Sequence, residues 1–499
     1  MSRILVFMRL RLSLNRSYMR PVFVGPLISH LCSMQYSFQQ DTIAAIATGG
    51  QAGAIAIIRV SGPEAFDVAE EIFSPARKGL ILRDASTHTL HFGAVMDGGT
   101  MVDEVLVSIF KGPKSFTGED SVEISCHGST YIQESILHLL IRAGARPAKP
   151  GEFTQRAFLN GRMDLSQAEA VADLIASESE ASHRLAMHQM KGGFSREIRD
   201  LRQKLIDFAS LVELELDFAE EDVEFANRGQ LKGLVNDIRA KVDSLARSFR
   251  LGNVIKSGVQ TVIAGRPNAG KSTLLNALLE EDRAIVSDIP GTTRDTIEET
   301  LNIHGVLFRL IDTAGIREAT DTIEAIGVEK TLREISRGTI LVYLYDVAAL
   351  SPEEVEKDLS ALVHDQLHVL VVANKRDKVE ALDDIAQAEI EKNIPSGHLY
   401  ISGKDKIDTE ILKNRLYELV IGAPIDAQQL MVTNLRHYEA LQRTREYLDK
   451  VLLNLDEQIS GDLLAMDIRQ ALYHLGEITG EVTADDLLGN IFSRFCIGK

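Results

Sequence analysis

The stretch VQTVIAGRPNAGKSTLLNALL, residues 259–279, constrains the fold more than any other part of the chain. Its first residues are apolar and β-branched, as in a buried strand, and its last residues have helical spacing. Between them lies a G-x-x-x-x-G-K-S sequence that runs from Gly265 to Ser272. Glycines let successive backbone N–H groups close around a phosphate, and the lysine adds a point charge. The stretch therefore predicts a phosphate-binding loop between a strand and a helix.

Strand and helix patterns continue to alternate from Val259 to about Ile421, which is typical of a doubly wound parallel sheet. Helical spacing of three and four residues occupies both flanks, at 153–252 and again from Gln428 to the end. Domains tolerate insertion because their termini usually lie close together. The pattern therefore predicts an α/β domain inserted into a helical domain.

The N-terminal part has short β-type runs and one helical run, at 131–144, and is interpreted as an α+β module. A chain of 499 residues is long enough for about three domains at roughly 150 residues each. The predicted fold class is multidomain α/β. Its predicted parts are a leader or mis-assigned start at 1–33, the α+β module at 34–152, helical segments at 153–252 and 423–499, and the nucleotide-binding domain at 253–422.

Composition excludes several kinds of protein. The chain has 54 Lys plus Arg and 72 Asp plus Glu, which gives a formal net charge of -18. This charge argues against non-specific binding of nucleic acid. Any such partner needs a local basic patch or a second protein. The three cysteines Cys32, Cys126 and Cys496 form no C-x-x-C pair, so neither a zinc knuckle nor a disulfide framework is indicated. Because no apolar run approaches the ~18 residues of a membrane span, we expect no bilayer crossing.

Residues 1–33 carry five arginines and no acidic residue. This composition is typical of an organelle transit peptide, but it also fits an over-extended start with Met34 as the true first residue. The second interpretation predicts a cytoplasmic protein, and the first predicts a mitochondrial one.

Four further motifs follow the phosphate loop. They are GTTRD at 291–295, LIDTAG at 310–315, VLVVANKRD at 369–377 and ISGK at 401–404. Thr293 can complete the shell of a magnesium ion, and Asp312 can hold one of its waters. Asp377 can pair with the N1–H and 2-amino groups of guanine, which adenine lacks. Five elements in this order predict a Ras-type GTPase domain.

Ile316 departs from that type, because Ras-like proteins carry at this position the glutamine that orients the attacking water. Asn268 is a candidate ligand for a monovalent cation in the place of an arginine finger, although an Asx turn is the plain alternative. Glu324 is a candidate for orienting the water through a second one. Its plain alternative is a solvated charge on a helix.

The motifs GRPNAGKST, SDIPGTTRD, DTAGIRE, PGEFTQRAFLNGRMDLSQAEAVADLI and the terminal FCIGK together resemble the tRNA modification GTPase family called MnmE or TrmE, over about residues 40–499. The resemblance implies an N-terminal tetrahydrofolate-binding fold and a potassium-dependent GTPase. It further implies a homodimer that forms a heterotetramer with an FAD-dependent partner of the MnmG family. Such an assembly adds an aminomethyl-type group to C5 of the tRNA wobble uridine, with carbon from 5,10-methylene- or 5-formyl-tetrahydrofolate.

The resemblance also assigns residues to roles. Magnesium would be bound by Ser272 and Thr293, and potassium by Asn268, Ser287, Ile289 and Thr292. Folate would be bound by Arg59, Glu123, Arg162 and Lys499, where an ordinary ion pair is the alternative for the first two. The nucleotide would be bound by Asn268, Ala269, Gly270, Lys271, Ser272, Thr273, Ser287, Thr292, Thr293, Asp312, Thr313, Ala314, Gly315, Asn374, Lys375, Asp377, Ser402, Gly403 and Lys404.

The C-terminal tail carries Cys496 and Lys499, which the flanking helices can bring beside the N-terminal module. A thiolate there can add to C6 of a uracil or intercept an iminium, so Cys496 is a candidate catalytic residue together with Glu324. The alternative is a small apolar filler.

Two other kinds of function remain open. One is a ribosome-assembly or RNA-chaperone GTPase, but such proteins usually append a basic RNA-binding domain, whereas residues 423–499 hold 7 Lys plus Arg and 12 Asp plus Glu. The other is a folate enzyme whose GTPase only regulates opening.

Overall fold

The computed structural model describes residues 41–49, 52–217, 228–282, 298–312, 335, 338–360, 362, 367–378, 398–403, 406–422, 430–457, 459, 461–482, 485–493 and 495–498. The fold class predicted from the sequence is confirmed: an α+β module, a divided helical domain and an inserted doubly wound domain. Within these ranges, every helix is too short or too polar to cross a bilayer.

The N-terminal module is built on one seven-stranded sheet with the strand order β3-β4-β5-β6-β2-β1-β7. Helices α1 and α2 cover one face, where alternate strand residues such as Ile58, Val107 and Ile124 are fully buried. The elements of this module are β1 (Ile43–Ile46), β2 (Ile55–Ser61), α1 (Ala65–Ile72), β3 (Phe73–Pro75), β4 (Thr89–Asp97), β5 (Thr100–Phe110), β6 (Ser121–His127), α2 (Thr130–Arg142), β7 (Arg146–Pro147) and α3 (Glu152–Leu159).

The helical domain has one apolar core that both of its sequence segments share. Ile198, Val242 and Leu475, for example, come from three different helices and are fully buried in that core. The helices before the insert are α4 (Leu165–Ile175), α5 (Glu180–Met190), α6 (Gly193–Asp217) and α7 (Arg228–Ser257), and those after it are α11 (Leu435–Asp456), α12 (Gly461–Thr479) and α13 (Asp485–Phe492).

The inserted domain has a six-stranded sheet with the order β13-β12-β11-β8-β10-β9, parallel except for the β9–β10 hairpin. Parallel strands are buried on both faces, and β11 accordingly reads ILVYLYD with its first six residues buried. The elements are β8 (Val259–Ala264), α8 (Lys271–Asp282), β9 (Glu298–Ile303), β10 (Val306–Asp312), β11 (Ile340–Asp346), α9 (Pro352–Ser360), β12 (His368–Asn374), β13 (His398–Tyr400) and α10 (Lys406–Ile421).

Polar contacts fasten the insert to the helical domain. Helix α7 runs through to Ser257, so that only Gly258, with φ of 83°, separates it from β8. Arg309 of β10 pairs with Glu178 at 2.9 Å, and the backbone N–H of Ala181 in α5 donates to the carbonyl of Gly305, in the β9–β10 turn, at 3.0 Å. These contacts hold the nucleotide-binding domain against the N-terminal end of helix α5.

Candidate functional site

The phosphate loop lies between β8 and α8, where the sequence predicts it. Gly265 has φ of 155°, and a Cβ added there would lie 2.0 Å from the carbonyl oxygen of Leu344 in β11. Gly270 has φ of 96°, and its added Cβ would lie 2.4 Å from Nδ2 of Asn374. Both positions therefore require glycine, because the loop packs directly on neighbouring groups.

Lys271 is buried at the start of α8, and its ammonium donates to the carbonyl oxygens of Gly265 at 2.8 Å and of Arg266 at 3.2 Å. The loop backbone thus surrounds the positive charge, which lies next to the N-terminus of a helix. A helix N-terminus with an adjacent cation is suited to bind the phosphates of a nucleotide. Ser272 follows with an exposed side chain, and the side chain of Thr273 is exposed as well.

The side chain of Asn374, at the end of β12, joins two loops of the site. Its Nδ2 donates to the carbonyl of Ala269 in the phosphate loop at 2.8 Å, while its Oδ1 accepts from the backbone N–H of Gly403 at 2.9 Å. Asn374 is 3 % exposed, so these bonds form away from bulk water. The amide therefore fixes the ISGK loop relative to the phosphate loop.

Lys375 adds a second connection. It has φ of 66°, and its ammonium donates to the carbonyl of Asn268 at 2.6 Å and to Asp346 at 2.7 Å. Burial alone would raise the pKa of Asp346, but the Lys375 ammonium, together with the backbone N–H of Ala348, outweighs burial and holds the pKa of that carboxyl below its ordinary value. Asn268 itself has φ of 63°, which is consistent with a tight turn in the loop.

Asp377, after β12, and Ser402, of the ISGK loop, are in contact. Ser402 Oγ donates to Asp377 Oδ1 at 3.0 Å, and its backbone N–H donates to Asp408 at 2.6 Å. The hydroxyl thus orients the carboxylate that the sequence assigns to guanine. A carboxylate held in this way can accept two N–H groups from one base edge.

A second site lies on the face of the N-terminal sheet opposite to α1 and α2. Arg59 of β2 and Glu123 of β6 are directly paired in the sheet register and form an ion pair of 2.8 Å. This is the ion pair that the sequence leaves as the alternative to folate binding. The Arg59 guanidinium also lies over the rings of Phe116 and Phe153, 5.4 and 5.6 Å from their centroids.

The C-terminal tail reaches this arginine. Arg59 Nη1 donates to the carbonyl of Gly498 at 3.3 Å, and the N–H of Gly151 donates to the carbonyl of Cys496 at 3.3 Å. Gly498 has φ of 95°, and an added Cβ would lie 2.4 Å from the carbonyl oxygen of Ile46. The Cys496 side chain is exposed, whereas Cys126 is buried and burial raises the pKa of its thiol to about 11.

A groove of about 500 Å³ opens beside Phe116. Ser115 Oγ is buried there without a hydrogen-bond partner among the described residues. An orphaned hydroxyl in an aromatic and cationic groove can bind the polar edge of a flat ligand. The residues that line the groove are His88, Phe110, Lys114, Ser115, Phe116 and Arg162.

Several residues with assigned roles lie outside the described residues. They are Ser287, Ile289, Thr292, Thr293, Thr313, Ala314, Gly315, Glu324, Lys404 and Lys499. Asp312 ends strand β10, next to Ile263 of β8, and only its backbone is described. Their roles stay predictions.

Sequence reasoning missed residues that shape both sites. Asp346 and Asp408 orient Lys375 and Ser402, and Phe116 connects Arg59 to the groove. Asp346 has a readable signal, since an acidic residue at the carboxyl end of a buried strand faces the site in a doubly wound sheet. Asp408 and Phe116 have none, because only the tertiary structure brings them there.

Two family models match this chain, one after the other. Residues 42–162 match the family described as GTP-binding protein TrmE N-terminus, and residues 165–496 match the MnmE helical domain. The chain is 57% identical over 459 residues to the tRNA modification GTPase MnmE of Cytophaga hutchinsonii, which covers 92% of this chain and 98% of that protein. The protein of the same name from Christiangramia forsetii is 54% identical, with 92% and 99% covered.

Among solved structures, the Era protein of Aquifex aeolicus bound to GDP and aluminium fluoride aligns with 38% of this chain and 66% of its own, at 27% identity and a TM-score of 0.27. The two family matches follow each other along the chain and together span most of it. The curated relatives are covered almost from end to end. The chain therefore belongs to the MnmE family of tRNA modification GTPases.

Proposed function

We propose that this chain hydrolyses GTP and couples the hydrolysis to modification of the wobble uridine of certain tRNAs. One observation carries the nucleotide part: the Asn374 amide bonds the phosphate loop and the ISGK loop at once. A pocket organised in this way suits a ligand with phosphates at one end and guanine at the other. The name shared by the relatives, tRNA modification GTPase, supports the tRNA part.

In this proposal Lys271 and the loop N–H groups bind the phosphates, and Asp377 selects guanine over adenine. A magnesium ion would be held by Ser272 and Thr293 and would neutralise charge on the phosphates. A potassium ion would be held by Asn268, Ser287, Ile289 and Thr292 and would supply the charge of an arginine finger. Glu324 would orient the attacking water, a role that belongs in Ras-like proteins to a glutamine at the position of Ile316.

The groove in the N-terminal module is the proposed folate site, with Arg59, Glu123, Arg162 and Lys499 as ligands. The donor would be 5,10-methylene- or 5-formyl-tetrahydrofolate, which supplies a one-carbon unit. The orphaned Ser115 hydroxyl and the ring of Phe116 beside Arg59 support this choice. Cys496 would lie at the edge of the same site, since its carbonyl bonds Gly151 and the next residues reach Arg59.

The further parts of the proposal rest on the family. They are a homodimer, a heterotetramer with an FAD-dependent partner of the MnmG family, and the domain limits 34–152, 153–252, 253–422 and 423–499. A cytoplasmic location follows if Met34 is the true start, and a mitochondrial one if residues 1–33 are a transit peptide. Determining the N-terminal residue of the native protein decides between the two.

Two measurements test the function. Purified chain should hydrolyse GTP and not ATP, faster in potassium than in sodium, and Asn268→Ala should remove the difference between the salts. Equal rates in both salts for the wild-type chain would contradict the cation assignment alone. Hydrolysis of ATP at a comparable rate would contradict the nucleotide assignment.

Mass spectrometry of tRNA from a deletion strain tests the second part. The wobble uridine should be unmodified in the deletion strain and in a strain carrying Glu324→Ala, and modified when the wild-type gene is restored. Normal modification with Glu324→Ala would favour the folate enzyme whose GTPase only regulates opening. Normal modification in the deletion strain, with a defect in ribosomal particles, would favour the ribosome-assembly alternative.

A further inference from the structure

Arg266 is the second residue of the phosphate loop, and its side chain is bonded to helix α9. Its Nε donates to Asp358 Oδ2 at 2.7 Å and its Nη2 to Asp358 Oδ1 at 3.2 Å, which makes a two-point pair. Its Nη1 donates to Glu354 Oε1 at 3.0 Å. The guanidinium thus faces two carboxylates on one helix.

Tyr343 of β11 completes the cluster. Its hydroxyl donates to Asp358 Oδ2, the same oxygen that accepts from Arg266 Nε. Burial raises the pKa of Tyr343, and the bond to Asp358 raises it further, so the phenol keeps its proton and remains a donor. Asp358 is therefore oriented by one donor from the sheet and one from the loop.

The backbone of Arg266 lies at the centre of the loop. Its carbonyl accepts from the N–H of Ala269 at 3.3 Å and from Lys271 Nζ at 3.2 Å. The residue before it, Gly265, packs on the carbonyl of Leu344 in β11. Any shift of Arg266 would therefore move both the turn and the lysine that bind phosphate.

We propose that Arg266, Tyr343 and Asp358 form a clamp that holds the phosphate loop in the shape that binds guanine nucleotide. Glu354 adds a single further hydrogen bond to Arg266. The inference rests on the proposed GTPase function and adds positioning residues to it. The clamp acts through the loop backbone, because the Arg266 charge is already neutralised by the two carboxylates. Preorganised donors bind phosphate more tightly than donors that must be ordered on binding.

The alternative is that Arg266 leaves the carboxylates and contacts a phosphate itself. The two roles predict opposite results for Asp358→Asn. Loss of a clamp weakens nucleotide binding, whereas release of a phosphate-binding cation leaves it equal or strengthens it.

The experiment measures binding of GDP labelled with a fluorescent group to the full chain, for Asp358→Asn, Arg266→Met and the double variant. We expect each single variant to bind about tenfold more weakly. The double variant should bind no more weakly than Arg266→Met. The control is Glu353→Gln, on the same helix, whose carboxylate accepts from the Ser351 hydroxyl; its affinity should stay within about twofold.

Steady-state kinetics separate positioning from general loss of structure. Loss of the clamp should raise KM for GTP about tenfold while kcat changes less than about threefold, because loop shape serves the bound substrate and the transition state alike. Thermal unfolding identifies variants that have lost the fold, and Tyr343→Phe then gives a milder test of the same cluster.

Each outcome has one meaning. Equal or tighter GDP binding by folded Asp358→Asn would overturn the clamp and leave the GTPase proposal intact. Additive losses in the double variant would also overturn it. Failure of the wild-type chain to bind GDP would overturn the proposed function and the clamp's role with it.

Discussion

The nucleotide site and the groove in the N-terminal module are assembled in different ways. The nucleotide site uses loops that follow neighbouring strands of one sheet, and its longest described connection, from Lys375 to Asn268, spans 107 residues. The contact between Arg59 and Gly498 spans 439 residues and joins the two ends of the described chain. The first site needs one domain to fold, whereas the second needs the helical domain to deliver the tail.

The two sites also differ in what supports them. Glycine packing and side-chain to backbone bonds hold the phosphate loop. The N-terminal module has an ion network, in which Arg156, 2 % exposed, contacts Asp41, Glu119 and Glu152. If Arg156 is removed, Arg146 is the remaining cation against both Asp41 and Glu152, so the buried charge is compensated less well. Because the two sets of contacts have no residue in common, we expect a substitution at one site to leave the other site intact.

The largest expected effect belongs to the nucleotide site. Lys271→Ala removes the cation at the head of α8 and should lower GTP hydrolysis by about 100- to 1,000-fold. Folate binding, measured by isothermal titration, should not change. A parallel loss of folate binding would contradict the independence of the two sites.

Arg156→Met should destabilise the N-terminal module by about 3 kcal/mol, because Glu152, 4 % exposed, would lose a buried partner. Hydrogen exchange of amides in β1 and α3 measures this, with GTP hydrolysis expected at its wild-type rate. The matched control is Arg142→Met, which breaks an exposed pair with Asp97 and should cost less than about 1 kcal/mol. Equal effects of the two variants would show that burial does not set the difference.

Gly498→Ala tests delivery of the tail. The new Cβ would meet the carbonyl of Ile46, so the tail should lift from Arg59 and folate affinity should fall about tenfold. Gly489→Ala is the control, since an added Cβ there meets nothing within 4 Å. Unchanged folate binding in Gly498→Ala would separate the tail from the groove.

The smallest expected effect concerns how the stability of the N-terminal module depends on pH. Arg146 beside Asp41 holds the pKa of that carboxyl below its ordinary value. A depressed pKa contributes stability that is present above the ordinary value, near pH 4, and is lost as pH falls through the folded value. Asp41→Asn should therefore destabilise the module at pH 7 and lose that effect at low pH. A constant difference between variant and wild type across this range, followed by β1 hydrogen exchange, would contradict the ion-pair explanation.

The nucleotide site could be read from the sequence because its motifs carry their own geometry. Gly265 to Ser272 form a loop wherever a strand precedes and a helix follows, and the NKRD motif ends its strand beside it. The contact between Arg266 and Asp358 could not be predicted from the sequence in this way. The loop motif G-x-x-x-x-G-K-S assigns no role to Arg266, and Asp358 is one acid among several on its helix. Their contact depends on how β11 and α9 pack beside the loop.

The groove was predicted only through family resemblance. Nothing in the spacing of Arg59, Glu123 and Arg162 predicts their proximity, and the register that pairs Arg59 with Glu123 depends on the order of strands in the sheet. The sequence leaves the choice between an ion pair and a ligand set open. The structure has the ion pair, with the groove lined by Phe116 and Arg162 beside it.

By itself, the sequence determined the local elements: the phosphate loop, the order of the nucleotide motifs, and a helical region divided by an insert. Such features depend on neighbouring residues, whose periodicity and turn chemistry act over a few positions. Only the tertiary structure decided that Gly498 reaches Arg59, that Asp358 faces Arg266, and that Lys256 pairs with Asp173. Those contacts join distant segments, because burial of apolar surface selects which helix and strand faces meet.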